Sequence, residues 1–311
     1  MSPSLAVDVG GVRLATPVMN AAGCLRDVKN VAGVTDLRRL GAIVTTSVTL
    51  WPVQGSPLPR AAETPSGLLS SVGLQNPGVE EFVVRDLPSL TKLGVPIIAS
   101  VAGTSVEEFV RVATAVQDAP GVVAIETNLA CPNEERGGGL FAHRPDHAAE
   151  ASGAVARLSR VPVFAKLSVD VSDLPDIASA CVEAGADGVT LINSVQAMAV
   201  DSSEMTPKLG SVLGGLSGPA IRPLAVRAVY QVSRVLPGIP IIGVGGVTRA
   251  RDAIELLLAG ASAVQVGTAM LANPSAPQEI TDGIAQFLEE AGVANPSELR
   301  GRIKLSQTDG A

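Results

Sequence analysis

One pattern recurs along the chain: an amphipathic stretch ends in a glycine, and an apolar run of strand length follows at once. It occurs at residues 40–44, 93–97, 184–189 and 259–264. A glycine is typical of helix ends, and strands that are apolar on both faces are typical of a parallel sheet covered by helices. An open doubly wound sheet is one such fold, but the first strand–helix turn has no GxGxxG motif. We predict instead the (β/α)8 TIM barrel, because apolar runs begin at eight places, near residues 17, 42, 96, 122, 162, 187, 239 and 262.

The chain has no linker or low-complexity stretch that would divide it, so we predict a single domain over residues 1–311. Residues 5–17 alternate between apolar and polar around Gly10-Gly11, which predicts an N-terminal β-hairpin ahead of the barrel. Between the second and third strands, residues 45–89 form an insertion that is too long for a simple connection. Loops of this length within a compact barrel are usually functional.

Charge and composition exclude several classes of function. With 23 Lys and Arg against 30 Asp and Glu, the net charge of −7 provides no basic surface for nucleic acid. The most apolar stretch, residues 256–272, is interrupted by glycine and glutamine and is too short for a membrane span. Three widely separated cysteines and the lack of a leader pattern favour the reducing cytoplasm. His143 and His147 lack a third metal ligand nearby, so we predict no metal site.

The loop that follows the apolar run 122–125 carries the first candidate site residues. It reads Glu126-Thr127-Asn128-Leu129-Ala130-Cys131-Pro132-Asn133. In parallel α/β proteins, ligands bind at the C-terminal ends of the strands. A thiol between two carboxamides there is suited to exchange a proton with a planar, amide-bearing substrate that Asn128 and Asn133 orient. The alternative is that Cys131 is a small buried hydrophobic residue and the asparagines only make a turn.

Four other predicted strands carry or end in residues suited to a ligand. Lys166 is the charged residue of an otherwise apolar strand, where it would serve a bound anion or form the Schiff base of a barrel aldolase. Asn193 and Ser194 end the sixth strand and could bind a substrate amide. The seventh and eighth strands end in residues whose backbone N–H groups could hold the phosphate of FMN or of a sugar phosphate: Gly245, Gly246, Gly267 and Thr268.

These stretches, from about Leu5 to about Ala272, resemble those of the dihydroorotate dehydrogenases and follow the same order. The resemblance is to the soluble branch of that family, which has a catalytic Cys in an Asn-x-Ser-Cys-Pro-Asn loop. The resemblance implies an FMN-dependent oxidoreductase of pyrimidine biosynthesis, which interconverts a CH–CH and a C=C bond next to a carbonyl of dihydroorotate or a related cyclic amide. It implies Cys131 as the acid/base, and it makes the insertion part of a substrate roof through Gly73-Leu74-Gln75-Asn76-Pro77-Gly78. The substrate-binding residues that it implies are Asn128, Asn133, Asn193, Ser194, Gly73, Leu74 and the residues at positions 46 and 70. The FMN-binding residues that it implies are Ala22, Gly23, Lys166, Gly218, Gly245, Gly246, Gly267 and Thr268.

Two substrate-binding positions depart from the family pattern. Thr46 stands where the family has a lysine that touches flavin and the substrate carboxylate, and Ser70 stands where it has a substrate-binding asparagine. Losing a cation beside a carboxylate in a dry site should cost on the order of 2–4 kcal/mol of binding. The departures therefore favour a specialised paralogue acting on another cyclic amide, lactone or enoyl compound. Authentic dihydroorotate oxidation with a compensated carboxylate site, and a flavin-binding subunit with little turnover of its own, are the alternatives.

The resemblance also bears on partners. It implies a small-molecule substrate and a homodimer. It leaves the electron acceptor open, because fumarate, a quinone or a partner subunit with FAD and an iron–sulfur centre could each serve.

Overall fold

The computed structural model describes residues 3–25, 28–131 and 134–304. The strands are β1 (Val7–Val9), β2 (Val12–Leu14), β3 (Val18–Asn20), β4 (Ile43–Val44), β5 (Ala61–Thr64), β6 (Gly67–Ser70), β7 (Ile97–Val101), β8 (Val122–Asn128), β9 (Val163–Leu167), β10 (Gly188–Leu191), β11 (Val195–Ala197), β12 (Val200–Asp201), β13 (Thr206–Pro207), β14 (Gly214–Ser217), β15 (Ile241–Val244) and β16 (Ala263–Val266). The α-helices are α1 (Val28–Ala32), α2 (Val79–Glu81), α3 (Leu87–Thr91), α4 (Val106–Val116), α5 (Pro145–Leu158), α6 (Leu174–Glu183), α7 (Arg222–Val235), α8 (Ala250–Ala259), α9 (Thr268–Ala272) and α10 (Ala276–Ala291). A π-helical turn, Phe82–Asp86, joins α2 to α3.

Eight strands form one parallel sheet in the order β3, β16, β15, β10, β9, β8, β7, β4. The sheet closes into a barrel at the seam between β3 and β4. There the Gly41 N–H donates to Val18 O at 2.8 Å. The Asn20 carboxamide accepts from the Val44 N–H at 3.0 Å and donates to Val44 O at 2.6 Å. The predicted (β/α)8 barrel is confirmed, and its eight strands lie where the apolar runs placed them.

The barrel has an apolar core on each side of its wall. Inside, Met19, Ile98, Phe164 and Ile242 are buried in one cluster with the apolar residues of the β1–β2 hairpin. Outside, helices pack on the strands in a second cluster. Helix α4 shows why: its buried residues, Phe109, Val112, Ala113 and Val116, recur at the spacing of one helical face.

The N-terminal hairpin pairs β1 with β2, as the alternation predicted. A Cβ atom on Gly10 would lie 3.3 Å from both Phe164 Cζ and Pro240 Cγ, which are at the N-terminal ends of their strands. The hairpin therefore covers the bottom of the barrel. The opposite, C-terminal face is left for the site.

A four-stranded antiparallel sheet covers this C-terminal face, in the order β11, β14, β6, β5. Half of it comes from the insertion after β4, which confirms the predicted covering segment. The other half comes from residues 195–217, after β10, for which the sequence predicted no strand. Gly214–Ser217 is in fact a strand, and α7 starts at Arg222. We call this sheet the roof.

Three of the four predicted helix-closing glycines have a positive φ: Gly94, Gly185 and Gly260, at 69°, 114° and 131°. Gly41 does not. A Cβ atom there would lie 2.1 Å from Thr16 O, so close packing explains the glycine.

Within the described ranges, no helix is long and apolar enough to cross a membrane. The same residues contain no group of three or more His, Cys, Asp or Glu side chains that could hold a metal ion. Cys24, Cys131 and Cys181 are free thiols.

Candidate active site

A cavity of about 500 Å3 lies between the C-terminal ends of the barrel strands and the roof. Its volume is in the usual range for small-molecule and cofactor sites. It is lined by residues that the sequence placed in the site: Ala22, Gly23, Thr46, Ser70, Leu74, Asn128, Lys166, Asn193, Ser194, Gly218, Gly245, Gly246, Gly267 and Thr268. Gly73 is the neighbour of Leu74 but does not itself line the cavity, and Asn133 lies outside the described residues.

The ammonium of Lys166 rises from β9 into the floor of the cavity. It is 5% exposed, and its Nζ lies 3.3 Å from Glu126 Oε1 and 3.5 Å from Gln265 Oε1. The Gln265 Nε2 donates in turn to Glu126 Oε2 at 2.8 Å. A buried ammonium is stable in such a place because a carboxylate compensates its charge.

Two carboxamides stand beside Lys166 at the ends of the flanking strands. Asn193 Nδ2 donates to Asn128 Oδ1 at 3.1 Å, and Asn128 Nδ2 donates to Ser47 Oγ at 3.0 Å. Ser47 Oγ lies 2.8 Å from Ser100 Oγ. This chain of hydrogen bonds fixes the amide planes across one wall of the cavity, where they can recognise another amide.

Cys131 is fully buried, three residues beyond the end of β8. Its thiol donates to Asn128 O at 3.1 Å, and it is not among the residues that line the cavity. Burial raises the pKa of the Cys131 thiol to about 12, although the backbone N–H of Gly103 opposes the shift. A thiolate therefore does not form readily in this arrangement.

Glycines surround the side of the cavity formed by β15 and β16. Gly245 and Gly246 have φ angles of 136° and 70°, and Cβ atoms there would lie 2.8 Å from Ala225 Cβ and 2.6 Å from Arg222 Cβ. Gly267 precedes α9, and the Thr268 hydroxyl donates to Ser217 Oγ at 2.8 Å. Backbone N–H groups can thus approach an anion without side chains between them.

The loops on either side of β5 and β6, residues 49–60 and 71–78, are held by two residues that each make several hydrogen bonds. The Asn76 carboxamide accepts from Thr49 N and Gly78 N and donates to Thr49 Oγ1 and Leu74 O. Arg60 donates to Ser56 O, Gln54 O and Gln75 Oε1 at 2.5–2.9 Å. Leu74 is thereby kept at a φ of 50°, which is uncommon for a residue with a side chain.

Several residues of the site were missed in the sequence. Arg60, Cys24 and Ser47 line the cavity, and Glu126 and Gln265 lie directly beneath it. Glu126 and Gln265 left a signal, because each is a polar residue inside an apolar strand, as Lys166 is. Arg60 left none, because an arginine in a proline-rich loop is ordinarily exposed.

The fold and the cavity define a barrel enzyme with a cofactor-sized site at the C-terminal ends of its strands. Comparison with known proteins agrees with this class. The family model described as dihydroorotate dehydrogenase matches residues 4–288. Among curated proteins, the chain is 43% identical to "dihydroorotate dehydrogenase B (NAD(+)), catalytic subunit" of Pelobacter propionicus, over 98% of this chain and 100% of the relative. Proteins of the same name from Desulforudis audaxviator and Geobacillus kaustophilus are 46% and 45% identical, over 97% and 96% of this chain and 98% and 95% of theirs.

The chain belongs to the dihydroorotate dehydrogenase family. It is an FMN-dependent oxidoreductase that acts on CH–CH bonds next to a carbonyl, as the sequence predicted. The reaction for which the family is named is a step of pyrimidine biosynthesis.

Proposed function

We propose that the chain oxidises dihydroorotate, or a closely related cyclic amide, with FMN bound in the barrel cavity. The observation that carries the proposal is the grouping of Asn128, Lys166 and Asn193 at the ends of three adjacent strands. The two carboxamides suit a cyclic amide, and the ammonium suits a ring that gains negative charge. Anaerobic mixing with dihydroorotate should bleach the flavin absorbance in a single turnover. No bleaching by dihydroorotate or by a panel of cyclic amides would contradict the proposal.

The residues present fit FMN. Gly245, Gly246, Gly267 and Thr268 would hold its phosphate through backbone N–H groups, with Gly218 close to Thr268. Ala22 and Gly23 leave room for the flat ring, since a Cβ atom on Gly23 would meet no other atom within 4 Å. FMN bound there supplies the acceptor for the substrate's hydride.

Cys131 would exchange the proton on the carbon next to the carbonyl, while Asn128, Asn133, Asn193 and Ser194 orient the substrate. The thiol has to leave its hydrogen bond to Asn128 O to reach the substrate, and it has to lose its proton to act as a base. Both steps are costly in the buried arrangement. The proton step should therefore depend strongly on pH.

A second candidate function is oxidation or reduction of a different substrate, one without a carboxylate. Thr46 and Ser70 line the cavity with hydroxyl groups. The cations among the described lining residues are Lys166 and Arg60. Lys166 is paired with Glu126. Arg60 donates to Ser56 O, Gln54 O and Gln75 Oε1. The charge of Lys166 is compensated by Glu126 and Arg60 is held in place by its acceptors, so a carboxylate would be bound less well than by an unpaired lysine, with help from backbone N–H groups such as those of Gly73 and Leu74. Turnover of neutral cyclic amides or lactones in preference to dihydroorotate would favour this candidate.

We propose further that the chain works with an electron-transfer subunit that carries FAD and an iron–sulfur centre. The relatives named above are catalytic subunits, and their names include NAD(+). Co-purification with such a subunit, and dihydroorotate-dependent reduction of NAD+ only by the complex, would support the proposal. Full turnover with fumarate by the isolated chain would contradict it.

We also propose that residues 1–311 form one FMN-binding domain, which acts as a homodimer in the cytoplasm. The barrel strands run from β3 to β16, and α10 packs on α8 and β3. Light scattering of the purified protein measures the oligomeric state directly. A monomer would contradict the dimer.

A further inference from the structure

Glu126, Lys166 and Gln265 form a closed ring of side chains beneath the cavity floor. Glu126 and Gln265 have no exposed surface, and Lys166 is 5% exposed. They come from β8, β9 and β16, and of the three only Lys166 lines the cavity. Neither the proton step nor substrate orientation uses Glu126.

Both oxygens of the Glu126 carboxylate are occupied. Lys166 Nζ is 3.3 Å from Oε1, and Gln265 Nε2 is 2.8 Å from Oε2. A fully buried carboxylate held in this way cannot turn away from the ammonium without losing its compensation. Its negative charge is thus fixed directly beneath the Lys166 ammonium on the cavity floor.

We propose that Glu126 and Gln265 are positioning residues that fix the Lys166 ammonium, and that the Glu126 charge lowers the reduction potential of the bound FMN. This rests on the proposed function, because it takes Lys166 to lie beside the flavin ring. Reduction of FMN adds negative charge to the ring, so a nearby cation raises the potential and a nearby anion lowers it. The two opposite charges therefore keep the reduction potential of FMN at a level that permits both the uptake of hydride from the substrate and the later release of electrons.

The test is a cycle of four FMN-loaded proteins: the wild type, Glu126→Gln, Lys166→Met and the double variant. Midpoint potentials are measured against reference dyes from pH 6 to pH 9. The pH range is needed because a buried ion that has lost its partner tends to become neutral. Relative to the wild type at the same pH, Glu126→Gln should raise the potential most clearly at pH 6, and Lys166→Met should lower it most clearly at pH 9. The double variant should lie near the wild type.

The expected change for Glu126→Gln is at least tenfold in the ratio of reduced to oxidised flavin at a fixed dye potential, about 30 mV for a two-electron couple. If Glu126→Gln does not fold, the double variant compared with Lys166→Met isolates the same charge. If the ion pair is merely structural, the variants should differ from the wild type in thermal stability, but the midpoint potentials of the four proteins should be equal.

The outcomes separate this inference from the proposed site. Suppose that Lys166→Met shifts the midpoint potential, but that removing the Glu126 charge shifts it at no pH, either from the wild type or from Lys166→Met. The inference is then wrong, and the proposed site stands. If no variant shifts the potential, Lys166 does not lie beside the flavin, and both the site and the inference fail.

Discussion

At the scale of single residues, the most demanding requirement of the proposed reaction is that the Cys131 thiol lose its proton. It is fully buried, and burial raises the pKa of its thiol to about 12. The neutral thiol is thus the favoured form at physiological pH. Because the thiolate is the proposed base, activity should be gained as the pH rises toward that pKa.

We expect the rate of flavin reduction by substrate to rise about tenfold per pH unit between pH 7 and 9, since the thiolate fraction does. Cys131→Ala should keep FMN and lower this rate by about 10² to 10⁴, the usual contribution of a general base. Cys131→Ser should retain a slower rate that needs a higher pH. Stopped-flow absorbance under anaerobic conditions measures all three proteins.

Cys181→Ala is the matched control. Cys181 is also buried, with a thiol pKa raised to about 11 by burial, but it lies in α6 and does not line the cavity. It should behave as the wild type. A flat pH profile, or near-normal rates in both Cys131 variants, would rule out Cys131 as the base.

Thr46 and Ser70 provide a second test at this scale. If substrate preference has changed, the wild type should oxidise dihydroorotate poorly, in part through a raised KM, because a ground-state contact is missing. Thr46→Lys with Ser70→Asn should raise kcat/KM for dihydroorotate by roughly ten- to a thousandfold, which corresponds to restoring about 1.4–4 kcal/mol. Each single variant is measured beside the double variant, because both positions line one cavity and are expected to couple.

Ser202→Lys serves as the control for charge alone, because it adds a cation at an exposed position between β12 and β13. It should leave kcat/KM unchanged. Efficient turnover of dihydroorotate by the unmodified protein would show that another group supplies the missing charge.

At the scale of elements, the weakest point of the barrel wall is the seam between β3 and β4. The two-residue strand β4 pairs with β7 on one side, and a single carboxamide, that of Asn20, bonds both backbone groups of Val44 on the other. Asn20 is completely buried, so the lost partners cannot be replaced by water without rearrangement.

Asn20→Leu should lower the free energy of unfolding by about 2–4 kcal/mol, because it leaves two buried backbone groups of Val44 without partners. Urea unfolding of the FMN-loaded protein measures this change. Gln286→Leu is the comparison, since Gln286 is exposed and makes a hydrogen bond to Glu290. Equal stability of the two variants would mean that the Asn20 bonds do not hold the seam.

The elements also show what the sequence could predict. The eight barrel strands were predictable because each is an apolar run with a clear local signal. The second half of the roof was not. Strands β11 and β14 are short and half-buried, and β14 begins with two glycines. They join the sheet only because β14 pairs with β6, more than a hundred residues away, and β11 pairs with β14. The cavity-lining glycines and carboxamides were predictable from strand ends. Glu126 and Gln265 stand out as polar residues in apolar strands, but their pairing with Lys166 was not predictable, because the β8, β9 and β16 side chains meet only when the barrel closes.

At the scale of the whole molecule, FMN binding and folding should be coupled, because the proposed phosphate and ring sites use strand ends from both halves of the chain. A ligand that binds only the folded state stabilises it by about 2.7 kcal/mol at a hundred times its Kd. We expect the purified protein to be yellow and to release about one FMN per chain on denaturation. After the flavin has been removed, the Tm of the protein should rise when FMN is added back.

Riboflavin is the matched ligand for this experiment, since it has the same ring but no phosphate. If Gly245, Gly246, Gly267 and Thr268 hold the phosphate, riboflavin should shift the Tm less than FMN at equal concentration, and inorganic phosphate should compete with FMN. Equal shifts from the two flavins would place the phosphate outside this group of glycines. A protein that neither contains nor takes up FMN would remove the flavin site altogether and favour the Schiff-base use of Lys166.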